Sequence, residues 1–384
     1  MPYFDNAATT FPKPEAVYAF MDAFYRQYGV NVGRGQYRLA DEAAKLVEET
    51  REMLLSLFNC SQLGEAVFMP SATIALNLIL HGIICQKGIN VYVSPFEHNA
   101  VMRVLYHLQK IYSINIEILK VDRASMCYDL ESIHNQMTEK KPDVVIISHA
   151  SNVCGLIAPV EEIFSFSKKM GAVNVLDMAQ TAGLLSIDLS RIEADFAVFA
   201  GHKTLYAPFG AAGFIVKNSI KLPPPFFYGG TGVDSANLDM PDTVPERYEA
   251  GSLNITAIAG LNAALKWIND VGLDNIRLKE SENFKKLKGL LQKYGNIDII
   301  GLGNIENHVG IISCVFKEYS SDEIGRILSK FDIAVRTGLH CAPKAHQFLG
   351  TYPAGTMRFS VGYFNCEEDF SALDEALEYI YDNY

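Results

Sequence analysis

The 384-residue sequence is short of positive charge: 33 Lys and Arg stand against 44 Asp and Glu, a formal charge of −11. That balance disfavours nucleic acid and anionic membrane as partners, because both recruit basic surfaces. No apolar run reaches transmembrane length. The opening Met1-Pro-Tyr-Phe-Asp5 has no basic stretch followed by an apolar one, so no signal peptide is expected. The seven cysteines include no Cys-x-x-Cys pair, which argues against a zinc or thioredoxin-like motif. An odd, scattered set fits a reducing cytoplasm best. Internal repeats and low-complexity tracts are also missing, and the proline cluster at 221–225 is too short to be a domain linker.

What is present describes a globular chain. Apolar residues make up 49% and charged residues 20%, and the length allows two or three domains with a sizeable core. Helical spacing predicts a helix from Glu15 to Tyr28, ended by Gly29, and a second one capped by Asp41 and running to about Phe58. Short apolar runs then alternate with helical patterns from about 66 to 217: strands at 66–69, 91–94, 114–121, 143–148, 173–177 and 195–199. Such alternation argues a mostly parallel sheet with covering helices. Helices follow at 255–268 and from about 270, then strands near 296–300 and 309–316, a helix near 321–330, and a last amphipathic helix over 367–381. That is an α+β pattern, distinct from what precedes it.

Two strand ends carry polar residues of interest. Asp195-Phe-Ala-Val-Phe199 leads through Ala-Gly into His202-Lys203, and Val173-Asn-Val-Leu ends in Asp177, followed by Met-Ala-Gln180. Ligands of open α/β sheets bind in the crevice beyond the strand ends. A lysine after a strand is more often a solvated charge. Paired with a carboxylate at a second strand end, it suits pyridoxal 5'-phosphate, which needs an amine for its aldehyde and an acid for its ring nitrogen.

On these residues, and on Phe4-Asp-Asn-Ala-Ala-Thr-Thr10 and Arg358-Phe-Ser360 near the two ends, the chain resembles class V aminotransferase-fold enzymes. Within that group it is similar to the cysteine desulfurases of the SufS-like branch. The resemblance implies fold type I: a large α/β domain over 15–268, and a smaller α+β domain from 1–14 with 269–384. It implies pyridoxal phosphate on Lys203, with Asp177 at the ring nitrogen and His98 stacked on the ring. Asn152 and Gln180 would face the phenolic oxygen. Ala72, Thr73 and His202 would hold the phosphate, helped by Gly251 and Ser252 from the second subunit of a homodimer with a shared active site. Pro70-Ser-Ala-Thr73 also reads as a helix N-terminus, which attracts phosphate on its own account.

For the substrate, the resemblance puts the α-carboxylate of L-cysteine on Arg358, and a guanidinium fork suits that group. Asn31 and Arg34 fall near the substrate mouth. Cys341, in Arg336-Thr-Gly-Leu-His-Cys341, aligns with the cysteine that takes the sulfur as a persulfide, releasing alanine. The short path from Arg336 to Pro343 implies a separate sulfur-acceptor protein. His340, Cys341 and His346 could be drawn as a metal site, but no second cluster supports one, so no metal is expected. The segment departs from the family where Gly33, Tyr37, Ala200 and Leu339 stand. Another class V chemistry (selenocysteine lyase or aminotransferase) and a turnover-deficient binding protein with the same fold are the rival readings.

Overall fold

Runs of four to six residues, buried along most of their length, build the central sheet. In the computed structural model, which describes every residue except Gly33, Arg34 and Asp234, these are β1 (Gly64–Met69), β2 (Asn90–Val93), β3 (Asn115–Ile118), β4 (Val144–Ser148), β5 (Val173–Asp177), β6 (Phe196–Ala200) and β7 (Ala212–Lys217). Their order across the sheet is β1-β7-β6-β5-β4-β2-β3. β2 to β6 pair in parallel, while β7 runs antiparallel between β6 and β1.

Parallel strands covered on both faces need apolar residues at every position. In Val144-Val-Ile-Ile-Ser148 the alternate residues enter different cores. Val144 and Ile146 join one with Leu76, Ile79, Val101 and Leu105, while Val145 and Ile147 join the other with Phe58, Ile163, Phe164 and Leu261. The first core is closed by α3 (Ala72–Ile83) and α4 (Asn99–Tyr112). The second is closed by α2 (Arg38–Leu57), α5 (Leu130–Glu139), α6 (Val160–Lys169) and α7 (Ile255–Val271). Helix α1 (Glu15–Tyr28) packs on α7.

A second sheet is antiparallel throughout, in the order β8 (Ile297–Ile300), β9 (Ile311–Phe316), β11 (Thr356–Ser360), β10 (Arg336–Gly338). It is backed by α8 (Leu273–Gln292), α9 (Ser321–Lys330) and α11 (Glu367–Asn383) through Phe284, Leu287, Ile324, Leu328, Leu373 and Leu377. A short α10 (Pro343–Leu349) lies between β10 and β11. The N-terminal arm docks on β11. Phe4 is buried in this core, the Ser360 amide donates to the Phe4 carbonyl at 2.6 Å, and the Asn6 amide donates to the Ser360 carbonyl at 3.3 Å.

Three local expectations are corrected. Tyr37, with an extended backbone and no side-chain cap bond, starts α2, so Asp41 sits in the first turn, where its charge suits the positive helix end. The strand expected over 114–121 pairs only at Asn115–Ile118, and Val121–Asp122 turns away to pair with Cys127–Tyr128. Arg358 lies within strand β11 itself, not between a strand and a turn.

Candidate active site

The parallel register aligns the strand ends. Ser148 lies opposite Asp177, and Asp177 opposite Val198, so β4, β5 and β6 finish at one sheet edge. Helix α3 begins at the same edge, because Met69 pairs with Ala212 and Ala212 with Ala200. The small-residue turn after Ala200 then carries His202 and Lys203 over that edge. From the other sheet come Arg336, His340, Cys341 and Arg358. Together these groups line one cavity of about 330 Å³, along with Ala72, Thr73, His98, Asn152 and Gln180.

Lys203 and Asp177 therefore meet in one place. Burial pushes the Lys203 amine down to about 8, against the pull of the Asp177 charge, and Arg358 and Arg336 push the same way as burial. Burial raises the Asp177 carboxyl, while the Ala179 amide at 2.9 Å and Lys203 favour its ionised form.

His98 caps α4. Its Nδ1 accepts from the Ala100 amide at 3.0 Å. Burial first, and then Lys203 and Arg358, lower its pKa to about 4, so the ring is neutral near pH 7. A neutral imidazole has one N–H. With Nδ1 accepting, that hydrogen is on Nε2.

The two amides are partly committed. Asn152 donates to the His340 carbonyl at 2.6 Å, and Gln180 to the Ala7 carbonyl at 3.0 Å. Each –NH₂ has a second hydrogen to give.

His202 stacks on Phe209 with ring centroids 4.6 Å apart. Its ring is held neutral by burial, and its buried Nδ1 has no hydrogen-bond partner among the described residues. Ser71 caps α3 by accepting from the Ile74 amide at 3.2 Å. Thr73 is exposed in that first turn.

Arg358 is only 2% exposed. One of its nitrogens, Nη1, donates to the Asn152 carbonyl at 3.0 Å and Nη2 to Asp5 Oδ1 at 2.7 Å, while buried Nε has no partner among the described residues. Cys341 is exposed, whereas Cys60, Cys154 and Cys314 are buried and Cys85, Cys127 and Cys366 lie on the surface away from this cavity. The Cys341 loop is strained: His340 and Cys341 both occupy the left-handed region, with φ of 46° and 57°. Bonds from Asn152 to the His340 carbonyl and from the Asn99 amide to the Cys341 carbonyl hold it there. His340 adds a bond from Nε2 to Thr356. Among the described residues no group of three His, Cys, Asp or Glu could hold a metal ion.

Three expected residues are not part of this cavity. Gly251 and Ser252 line a separate groove with Asn31, whose side chain donates to Ser252 Oγ at 3.0 Å. Arg34 lies outside the described residues. Groups the sequence did not single out also border the site. Asp5 bridges two arginines. Glu97 is fully buried beneath His98, bonded to Ser94 and Ser148, and burial raises it to about 7. A carboxylate beside His98 in Phe96-Glu-His98 was the available signal for Glu97.

Comparison with known proteins agrees along the whole chain. The family model described as aminotransferase class-V matches residues 2–373. The chain is 30% identical over 383 residues to a probable cysteine desulfurase of Methanothermobacter thermautotrophicus, covering 98% of this chain and 94% of that one. A probable cysteine desulfurase of Aeropyrum pernix is 33% identical over 394 residues, with the same 98% and 94% covered. The apo structure of a cysteine desulfurase from Thermococcus onnurineus superposes with a TM-score of 0.91 at 29% identity, covering 100% of this chain and 95% of that one.

Proposed function

The chain belongs to the class-V aminotransferase family, and on that premise we propose that it is a pyridoxal-phosphate-dependent cysteine desulfurase. It converts L-cysteine to L-alanine and keeps the sulfur on Cys341. The observation that carries this reading is the lining of a single cavity by Lys203, Asp177, Arg358 and an exposed Cys341. A transaminase would need the first three and would have no use for the fourth.

The residues fit the cofactor. Orphaned, buried His202 Nδ1 and the first turn of α3 supply donors for a phosphate, in place of the hydroxyl that Ala200 lacks. Asp177 lies buried where a ring nitrogen needs an acid. Asn152 and Gln180 each retain a donor hydrogen for an oxygen on the ring. When bound, pyridoxal phosphate supplies an electron sink for the substrate's α-carbon.

The chain's own groups do the rest. Arg358, through its unpartnered Nε and its Nη edge, holds the α-carboxylate. Lys203 Nζ, near neutrality, carries the α-proton. His98 keeps its proton on Nε2 and acts toward the cavity as a donor. Cys341 Sγ, as thiolate, attacks the substrate sulfur: an S–S bond forms and the Cβ–S bond breaks. That electron pair goes to Cβ, which gains a proton. Alanine leaves, and the transferred sulfur, oxidised as Cβ is reduced, remains as the Cys341 persulfide.

Exposure of Cys341 supports onward transfer to a separate acceptor protein. Seven free thiols support a reducing cytoplasm, and among the described residues no helix is long and apolar enough to cross a membrane. Gly251, Ser252 and Asn31, apart from this chain's own cavity, are read as the contribution to the site of a second copy. Exposed Phe227 and Tyr228 near them support such an interface. The same reading treats 15–268 as the larger domain and 1–14 with 269–384 as the smaller.

The test is an amino-acid screen followed by absorbance of the bound cofactor, with product identification. Alanine from cysteine, with a sulfur added to Cys341 by mass, is expected. An oxo acid as product, or turnover unchanged in Cys341→Ala, refutes the assignment. Selenocysteine preferred over cysteine would reassign the substrate.

A further inference from the structure

Two arginines face each other across the strand pair that borders the cavity. Arg336 on β10 lies directly opposite Arg358 on β11. Like charges at such positions repel, with Cβ atoms only about 5 Å apart. Asp5 sits between them: Oδ1 accepts from Arg358 Nη2 at 2.7 Å, and Oδ2 accepts from Arg336 Nε at 3.1 Å. The arm that carries Asp5 is pinned to Ser360 on both sides of it. Asp5 is 13% exposed and Arg358 2%, so their attraction is weakly screened.

The charge count follows. Two guanidinium groups and one carboxylate leave a single positive charge beside the unpartnered Nε of Arg358. His98 and His340 are held neutral by burial, and Lys203 and Asp177 oppose each other elsewhere in the cavity. One net charge matches one α-carboxylate. A substrate with a second anionic group would bring its extra charge to a place already filled by a carboxylate.

We propose that Asp5 is a specificity-determining residue: by occupying Arg336 and one edge of Arg358, it makes the site select amino acids with a single acidic group and reject dianionic ones. This rests on the assignment of Arg358 to the substrate carboxylate. Asp5 acts through the arginines and needs no contact with the reacting atoms.

The test measures binding of propionate and succinate to the purified holoenzyme by calorimetry. Neither ligand carries an amine, so the arginines alone are read. Wild type is expected to bind propionate at least as well as succinate. Asp5→Asn keeps the shape and an acceptor oxygen but removes the charge. It should shift the preference toward succinate by about tenfold or more, because an unscreened positive charge is added within a few ångströms. Adding Arg336→Gln to Asp5→Asn restores one net positive charge and should return the preference to propionate. A merely structural role for Asp5 would weaken both ligands together in both variants. A preference ratio within twofold of wild type in well-folded Asp5→Asn overturns the proposal while leaving Arg358 as the carboxylate site. Binding of neither ligand to any of the proteins overturns the Arg358 assignment, and this proposal with it.

Discussion

The titration of Lys203 offers the sharpest check on the site. Burial moves its amine from 10.5 to about 8. At pH 7 roughly one such amine in ten is neutral, against about one in 3,000 for an ordinary lysine, a gain of about 300-fold in nucleophile. Cofactor-stripped protein, labelled briefly with an amine-acylating reagent between pH 6 and 11 and mapped by mass spectrometry, should show Lys203 reacting with a midpoint near 8. Two substitutions have opposite signs. Asp177 favours the ammonium, so Asp177→Asn moves the midpoint down. Arg358 disfavours it, so Arg358→Met moves the midpoint up. The linkage to stability follows from the folded value being the lower one. Between about pH 8 and 10.5 the unfolded chain binds more protons, so stability rises with pH through that window, by about 3 kcal/mol for one such group. Lys13, also held near 8 by burial, adds to the same trend, so only the site-resolved label isolates Lys203. A midpoint near 10.5, or shifts of the same sign in the two variants, refutes the electrostatic picture of the cavity.

Other outcomes can be stated more briefly. Borohydride reduction of the holoenzyme should attach the cofactor to Lys203, and mass mapping to another lysine would displace it from its role. Arg358→Lys should raise KM for cysteine by about 10- to 100-fold with a smaller change in kcat, the scale of a charged hydrogen bond lost on each side; an unchanged KM argues for another carboxylate site. Arg51→Ala should destabilise the fold by about 3–5 kcal/mol in urea unfolding, because Glu249 stays buried without its bidentate partner at 2.8 and 2.6 Å. Loss of less than 1 kcal/mol there would mean that water reaches Glu249.

Much of the site was legible because parallel strands advertise themselves. A fully buried strand must be apolar throughout, so a polar residue at its end stands out, and that is how Asp177 and the turn to Lys203 can be located without coordinates. Helix ends were legible where chemistry marks them, as at Gly29 after α1. They were misplaced where nothing does, as at Tyr37, which starts α2 with no side-chain cap. Arg358 could be picked out by its motif, but its strand setting could not, since β11 is short and broken by the charge itself.

By itself the amino-acid order determined the alternation of strand and helix, the break that lifts Lys203 beyond β6, and the chemical kinds of group available. Local periodicity and steric preference act over a few residues, so they survive in a linear reading. Only the tertiary structure decided that Asp5 would lie between Arg336 and Arg358, 331 and 353 residues away, or that His98 would keep its proton on Nε2. It also decided that Gly251 and Ser252 would lie outside the cavity of their own chain. Those outcomes depend on charge, burial and hydrogen bonding between segments that meet only once both sheets have packed, and no local pattern records them.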